Sequence, residues 1–309
     1  MVIALPEVGD IPGVGHLVGE SAYLRDFSYR HDSRRGGRDR RPYSERMQAV
    51  DFPRAAIIAG RLDVVAHTGS TNADLLVAVA GEPDAYPHLS VLITDDQRAG
   101  RGRLDRTWTA PAGAALAISV LVRVPGIRTD RRGWVPLIAG AAMTLAIRGL
   151  FAPPNEGDGS RVALKWPNDV LIDGAKVCGI LSQMVPGKPD AIVVGAGVNT
   201  RMTPGQLPVS TATSLAIARA DLDLDRLLAD YLHGLDRMLA AAASADAFAR
   251  VRTEVRGVCA TLGRQVRVML PDDHVFEGSA TALDDAGRLV VTVGGESVPV
   301  AAGDVIHVR

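Results

Sequence analysis

Four apolar segments follow one another closely between residues 162 and 195, and their spacing limits the folds open to this chain. They occupy residues 162–166, 170–172, 176–184 and 191–195, and β-branched residues recur in them. A parallel neighbour needs a crossover of a dozen or more residues, whereas the connectors here have only a few. The sequence therefore predicts adjacent antiparallel strands in a mixed sheet, and it argues against a doubly wound parallel fold.

The segments on either side of these strands complete an α+β pattern. Strands are expected at residues 62–66, 91–94 and 114–122, and helices at residues 73–80, 133–150, 225–243 and 248–255. The Ser70 or Thr71 hydroxyl is suited to cap the first of these helices. Residues 51–260 are therefore predicted to form one α+β domain built on the mixed sheet.

After Gly263 the apolar pattern changes to five short segments. They cover residues 265–270, 275–283, 288–293, 297–300 and 305–309, with Pro, Asp and Gly concentrated between them. Residues 261–309 are therefore predicted to form a small SH3-like β-barrel.

The first fifty residues include an arginine-rich run at 25–46 that has no helical or strand period. Such a segment buries too little apolar area to offset its ordering entropy. Residues 1–50 are therefore predicted to be a disordered extension, and a start at Met47 is expected to give the complete protein. The alternative is an arm that binds nucleic acid. With 34 Lys and Arg residues against 35 Asp and Glu residues, no chain-wide positive field supports specific DNA binding.

Cysteine content and hydropathy narrow the class of protein further. Cys178 and Cys259 are the only cysteines, and they are far apart without Cys/His spacing, which argues against a disulfide framework and against a zinc site. The longest apolar stretch, residues 134–147, is too short for a membrane span. A protein of the reducing cytoplasm that does not enter the membrane is expected.

The common phosphate-binding and catalytic motifs are missing from the sequence. It contains no Gly-x4-Gly-Lys-Ser/Thr loop, no His-Glu-x-x-His, no Gly-x-Ser-x-Gly and no complete Gly-x-Gly-x-x-Gly. Any nucleotide must therefore be held in another way.

The loop at residues 97–108 offers such a way. Gly100 and Gly102 allow the backbone to approach a ligand closely, and Arg101 and Arg103 carry planar guanidinium groups that pair with phosphate or carboxylate oxygens. Trp108 is suited to stack on a purine. The alternative is a solvated basic loop between two strands.

A second candidate site begins at Lys165, at the end of an apolar strand. A lysine there can neutralise two anions as they react, and Asn168 and Asp169 after the proline can position magnesium or a nucleotide. An ordinary hairpin turn with an exposed lysine is the alternative.

The polar turn at residues 68–72 is the third candidate site. Its hydroxyls and its Asn72 amide can satisfy a polar head group of the ureido type, although simple helix capping explains the same residues.

Together, and in this order, these segments resemble the biotin protein ligase family. The matching motifs are Gly-Ser-Thr-Asn at 69–72, Gln97 with Ala-Gly-Arg-Gly-Arg at 99–103, Lys-Trp-Pro-Asn-Asp at 165–169, Lys-Val-Cys-Gly-Ile-Leu at 176–181 and Gly-Ala-Gly-Val-Asn at 195–199. The resemblance implies a catalytic domain like that of class II aminoacyl-tRNA synthetases and an SH3-like C-terminal domain. It also implies ATP with Mg²⁺, biotin as substrate, and the biotin carboxyl carrier domain of an acetyl-CoA or related acyl-CoA carboxylase as partner.

The resemblance also implies roles for individual residues. Biotin would be held by Ser70, Thr71, Asn72, Gln97, Arg101, Gly102, Arg103 and Lys165, with Arg101, Arg103 and Lys165 catalytic. Secondary candidates on the nucleotide side are Trp108, Asn168, Asp169, Lys176 and Asn199. No residue is assigned as a metal ligand.

Three departures from the family pattern stand out. Residues 104–106 replace a further Gly-Arg, and Gln183 stands where a glutamate is common. Nothing before Leu62 resembles a helix-turn-helix, so the monofunctional type is expected. A lipoate ligase-like enzyme is the nearest rival, but it needs a long apolar pocket instead of a ureido-binding turn.

Overall fold

The computed structural model describes residues 47–104, 106–151 and 161–308. Its helices are α1 Pro53–Ile58, α2 Thr71–Gly81, α3 Trp134–Arg148, α4 Leu224–Ala242 and α5 Ala245–Val258. Its strands are β1 Arg61–Val64, β2 Ser90–Thr94, β3 Gly100–Arg101, β4 Thr107–Trp108, β5 Ala115–Arg123, β6 Val162–Lys165, β7 Asp169–Ile172, β8 Ala175–Val185, β9 Lys188–Asn199, β10 Gln265–Met269, β11 Val275–Leu283, β12 Leu289–Val293, β13 Glu296–Val300 and β14 Asp304–His307.

The central sheet has seven strands in the order β1-β2-β5-β9-β8-β7-β6. Only β1 and β2 are parallel, and every other neighbouring pair is antiparallel. The predicted mixed sheet is therefore confirmed, including the antiparallel run from β6 to β9. β9 is longer than predicted, because its pairing with β5 and β8 continues beyond Gly195 to Asn199.

Helix α3 packs its apolar surface on this sheet. Most of its residues are buried, and a β-carbon at Gly140 would lie 2.5 Å from Leu164 Cδ1 in β6. The helix and strand therefore approach so closely that a side chain at residue 140 would displace Leu164. This packing fixes the strand that ends at Lys165.

The C-terminal domain is an antiparallel sheet in the order β13-β12-β11-β10-β14. This confirms five strands of SH3-like scale. Two tryptophans join the domain to the rest of the fold, because Trp134 Nε1 donates to Asp285 O over 3.0 Å and Trp166 Nε1 donates to Gly287 O over 3.2 Å. The predicted division at residue 261 falls between α5 and β10, and we retain it as a proposal.

The structure moves the boundary of the predicted N-terminal extension. The Met47 side chain is buried in the main core together with Phe52, so residues 47–50 belong to the folded part of the chain. The predicted disorder of residues 1–46 lies outside the described residues.

None of the helices in the described ranges is long and apolar enough to cross a lipid bilayer.

Candidate active site

A cavity of about 400 Å³ opens between the central sheet, the arginine loop at residues 97–108 and the C-terminal domain. That volume is sufficient for a small organic ligand. Of the thirteen residues predicted for the site, the cavity wall includes twelve: Ser70, Thr71, Asn72, Gln97, Arg101, Gly102, Arg103, Trp108, Lys165, Asn168, Asp169 and Lys176.

Asn199 is the exception, because it does not line the cavity. Its side chain is buried, and its amide Nδ2 donates to Thr213 O over 2.9 Å. The segment after Thr211 covers this end of β9, where Leu215 N donates to Asn199 O. Asn199 therefore holds neighbouring backbone in place and contacts no part of the cavity.

The start of α2 forms a polar cluster at one end of the cavity. Ser70 is the N-cap residue, as predicted, and accepts from Ala73 N. Thr71 donates from its backbone N and from Oγ1 to Gln97 Oε1, over 2.8 and 3.0 Å. The Asn72 amide donates to Gln183 Oε1 over 2.9 Å. The cluster is therefore internally bonded and holds its polar groups in fixed positions.

Ser119 and Gln183 belong to this cluster, although neither was predicted to be a site residue. The Ser119 hydroxyl lies 2.6 Å from Asn72 Oδ1 and 2.8 Å from Thr71 Oγ1. Ser119 is the one polar residue in β5 before Arg123, which ends the strand, and that isolation was a usable signal. Gln183 supplies a neutral acceptor where the family commonly has a carboxylate.

The arginine loop folds back on itself as the two-stranded hairpin β3–β4. Gly100 is required at its base, because a β-carbon there would lie 2.3 Å from Gln97 Nε2 and 2.6 Å from Trp108 O. Trp108 crosses the floor of the cavity, where a β-carbon at Gly197 would lie 2.8 Å from its ring. The glycine and the indole together give the floor its apolar surface.

Arg103 turns inward while Arg101 remains exposed. Arg103 Nη1 donates to Asn168 Oδ1 over 3.1 Å, and its Nη2 donates to Gly303 O over 3.4 Å. Burial lowers the pKa of the Arg103 guanidinium from its ordinary value, although that value is high enough for the group to stay charged. A fixed, partly desolvated cation therefore points into the cavity.

Lys165 lies at the end of β6, beside the turn that contains the cis Trp166–Pro167 peptide. Burial lowers the pKa of its ammonium group, and the carboxylates of Asp169 and Asp304 act in the opposite direction. A half-buried ammonium of this kind is poorly solvated, so it interacts strongly with an anion that enters the cavity.

Asp169 and Lys176 form an ion pair on the same wall. Lys176 Nζ lies 2.5 Å from Asp169 Oδ1. Asp169 Oδ1 is buried, and the Lys176 ammonium is therefore its charge partner on this wall.

The C-terminal domain completes the cavity with residues that were not predicted for the site. They are Met269, Asp304, Val305 and Ile306, and the catalytic domain adds Arg106. The wall thus carries the cations Arg101, Arg103, Arg106, Lys165 and Lys176 against the carboxylates Asp169 and Asp304. A polar amide-and-hydroxyl cluster at one end and excess positive charge at the other suit a ligand with a polar head and an anionic end.

Comparisons with known proteins agree with this geometry. Residues 80–199 match the biotin/lipoate A/B protein ligase family, and residues 261–308 match the biotin protein ligase C terminal domain. A protein of Mycobacterium tuberculosis named biotin–acetyl-CoA-carboxylase ligase is 39% identical over 249 residues, covering 81% of this chain and 90% of that protein.

Solved structures show the same fold. A biotin protein ligase from Aquifex aeolicus in complex with biotin and ATP has a TM-score of 0.62 at 21% identity, covering 81% of this chain and 99% of that one. A biotin protein ligase from Leishmania major in complex with biotinyl-5-AMP has a TM-score of 0.53 at 21% identity, with coverage of 81% and 99%.

Proposed function

Because this chain belongs to the biotin protein ligase family, we propose how its own residues bind biotin and ATP and perform the two steps of the reaction. The enzyme is an ATP-dependent biotin protein ligase. It forms biotinyl-5′-AMP and then transfers the biotinyl group to a lysine. One observation carries the assignment of residues: the bonded cluster around Asn72 and the cations Arg103 and Lys165 line the same cavity.

The polar cluster holds the ureido head of biotin. Ser70, Thr71, Asn72 and Gln97 present hydroxyl and amide groups that can donate to and accept from a ureido group. Because Ser119 and Gln183 bond to this cluster from the sheet, its groups need little reorganisation when the ligand arrives. The apolar part of the cavity wall at Ala117, Ile118 and Ala196 then covers the body of biotin.

The cations act on the reacting groups. In the first step an oxygen of the biotin carboxylate attacks the α-phosphorus of ATP, the bond to the β-phosphate oxygen breaks, and pyrophosphate leaves. Arg101, Arg103 and Lys165 reduce the repulsion between the two anions and stabilise charge on the phosphoryl group. Gly102 lies in the cavity wall between the two arginines, where the lack of a side chain allows the backbone to lie against the ligand.

The nucleotide lies toward Trp108, Asn168 and Lys176. Trp108 offers an aromatic face for the purine, and Lys176 offers a cation for the phosphates. Asp169 would hold Mg²⁺ together with the phosphates of ATP, because Mg²⁺ commonly binds one protein carboxylate and substrate phosphates. Lys176, which pairs with Asp169 Oδ1 over 2.5 Å, would then turn to the phosphates. Bound Mg²⁺ would supply further neutralisation of the phosphate charge.

In the second step the carrier lysine nitrogen attacks the carbonyl carbon of the mixed anhydride. The carbon–oxygen bond to the phosphate breaks, AMP leaves, and the lysine proton passes to solvent. The acceptor is the biotin carboxyl carrier domain of an acetyl-CoA or related acyl-CoA carboxylase, in keeping with the name of the M. tuberculosis relative. The cytoplasm stays the expected location of the reaction.

A lipoate ligase-like activity is the rival within the same fold. The hydroxyl and amide groups of Ser70, Thr71, Asn72 and Gln97 in the cavity wall favour a ureido head, which lipoate lacks.

Exchange of labelled pyrophosphate into ATP tests the proposal directly. With purified protein and Mg²⁺, exchange should depend on biotin and should not appear with lipoate. Exchange that depends on lipoate alone would contradict the assignment. The same protein should then biotinylate a carrier domain, and a carrier with its acceptor lysine changed to arginine should stay unmodified.

A further inference from the structure

An ion pair ties the arginine loop to the C-terminal domain at the mouth of the cavity. Arg106 Nη1 donates to Asp304 Oδ1 over 3.3 Å, and its Nη2 contacts Asp304 Oδ2 in a second, parallel contact. The two residues are 198 positions apart in the chain. Paired guanidinium–carboxylate contacts fix direction as well as distance, so the loop is held in one orientation against the domain.

A second contact reinforces the first. Arg103 Nη2 donates to the carbonyl oxygen of Gly303, the residue before Asp304. Gly303 has φ +148°, and a β-carbon there would lie 2.7 Å from Met269 O. Only glycine therefore allows this backbone to pass close to Met269 and present both its carbonyl and the next carboxylate to the loop.

The C-terminal side of the contact is rigid. Asp304 begins β14 and pairs with Met269 in β10, and the sheet that contains them is joined to the catalytic domain through the indoles of Trp134 and Trp166. The loop is the less constrained side, because its described strands contain two residues each, whereas β14 pairs with β10 at four positions. The ion pair thus restrains the loop and not the C-terminal domain.

A carboxylate is unexpected on the wall of a cavity that binds the carboxylate of biotin and the phosphates of ATP, because it repels both. The partner of Asp304 is Arg106 on the loop. The Asp304 charge also raises the pKa of Arg103 on the loop and of Lys165 on the cavity wall, so it stabilises both cations. Arg98, Arg101, Arg103 and Arg106 lie within nine residues of one another and repel, so a nearby anion lowers the free energy of the ordered loop.

We propose that Asp304 is a positioning residue that, through Arg106, holds the arginine loop over biotinyl-5′-AMP until the carrier arrives. The inference rests on the proposed function and extends it to retention of the intermediate. Asp304 contacts neither reacting atom and acts through the loop.

The test measures the release of the intermediate. The full chain is allowed to form biotinyl-5′-AMP from labelled biotin and ATP with pyrophosphatase present. Excess unlabelled biotin and ATP are then added without carrier, and retained label is followed by rapid filtration. Because a partly exposed ion pair contributes modestly, Asp304→Asn and Arg106→Gln should each release the intermediate about three- to tenfold faster than the parent.

Four further variants separate positioning from general damage. The double variant should release no faster than either single variant, because both remove the same interaction. The charge exchange Arg106→Asp with Asp304→Arg should release the intermediate more slowly than Asp304→Asn or Arg106→Gln, at a rate closer to that of the parent. The conservative variant Asp304→Glu should behave in the same way. Glu254→Gln is the matched control, because it breaks the ion pair of Glu254 with Arg237, which is of similar exposure but remote from the cavity. It should leave release unchanged.

Parental release by Asp304→Asn, or additive effects in the double variant, would overturn the proposal. Slow formation of the intermediate with normal retention would also overturn it, since Asp304 would then act on the chemistry. If the parent forms no intermediate from biotin, the proposed function itself fails, and that result is distinct from the others.

Discussion

The Asn72 side chain lies directly against the backbone of Gly195, so that a β-carbon at Gly195 would lie 2.4 Å from Asn72 Oδ1. The strand β9 can pass under the polar cluster only because this residue has no side chain. The Asn72 amide can occupy this position only when residue 195 has no side chain. The shape of the ureido end of the cavity depends on the same condition.

Gly195→Ala should therefore weaken biotin binding by about tenfold or more, because Asn72 must move and break its bonds to Gln183 and Ser119. Overpacking of this kind costs about 1–3 kcal/mol, so the folded state should persist. Isothermal titration with biotin measures the change. Gly205→Ala is the control, since nothing lies within 4 Å of its β-carbon position. Equal affinities in the two variants would refute the assignment of the polar cluster.

Lys165→Ala and Arg103→Ala should each slow adenylate formation by about 10²-fold or more, because each removes a partly desolvated cation that faces the reacting anions. Single-turnover formation of biotinyl-5′-AMP is the measurement. Lys188→Ala and Arg128→Ala provide controls of the same residue types outside the cavity wall. The roles of Lys165 and Arg103 would be disproved by single-turnover rates close to the control rates.

Much of this architecture was predictable, because the signals were local. The short connectors between residues 162 and 191 leave antiparallel pairing as the only economical arrangement, and the structure has it. The hairpin β3–β4 was not predicted, since two-residue strands in a Gly- and Arg-rich loop have no measurable period. Helix α1 is similarly too short for its period to be recognised.

The candidate site was predictable only where its residues lie together in motifs. Asn199 lies on the same face of β9 as Gly195 and Gly197, as the two-residue alternation of a strand predicts. Each residue advances the strand by about 3.3 Å, however, so Asn199 lies beyond the end of the cavity. Asp304 was not predictable, because its partner Arg106 is distant in sequence and charged residues usually face solvent.

Deletion of residues 1–46 should leave folding and biotinylation unchanged, whereas deletion of residues 1–52 should destabilise the protein by about 3–5 kcal/mol. The second deletion removes Met47 and Phe52, whose side chains are buried in the main core. Urea unfolding and a biotinylation assay on both truncated chains provide the comparison. A loss of activity in the shorter deletion, with normal unfolding, would assign a function to residues 1–46.

Trypsin should cleave the free enzyme rapidly after Arg101 or Arg103, and biotin with ATP should suppress this cleavage more than ATP alone. Two glycines and several arginines make the loop costly to order, and the single, partly exposed ion pair with Asp304 offsets only part of that cost. The intermediate supplies in addition a phosphate and an apolar surface to cover. Cleavage sites are identified by mass spectrometry. Cleavage after the exposed Arg128 serves as an internal reference that ligands should not change. Loop cleavage that is equally fast with both ligands would argue against closure.

Asp95 lies buried at the base of the arginine loop, next to β2. Neither carboxylate oxygen has a hydrogen-bond partner among the described residues. Burial raises the pKa of this carboxyl to about 6, and the neighbouring Asp96 charge acts in the same direction. The folded protein therefore binds a proton at Asp95 more tightly than the unfolded chain, in which an Asp titrates near a pKa of about 3.9.

The contribution of Asp95 to the free energy of unfolding therefore falls as the pH rises from about 4 to about 6. Above about pH 6 the folded protein carries a buried, unpaired Asp95 carboxylate. Asp95→Asn should raise the free energy of unfolding by about 1–3 kcal/mol at pH 7.5 and change it little at pH 4. Urea unfolding of parent and variant at the two pH values measures the difference. Asp130→Asn is the control, because Arg128 lowers the pKa of Asp130 and removal of that carboxylate cannot raise stability at pH 7.5. A variant that is less stable than the parent at pH 7.5 would mean that the Asp95 carboxylate has a stabilising partner in solution.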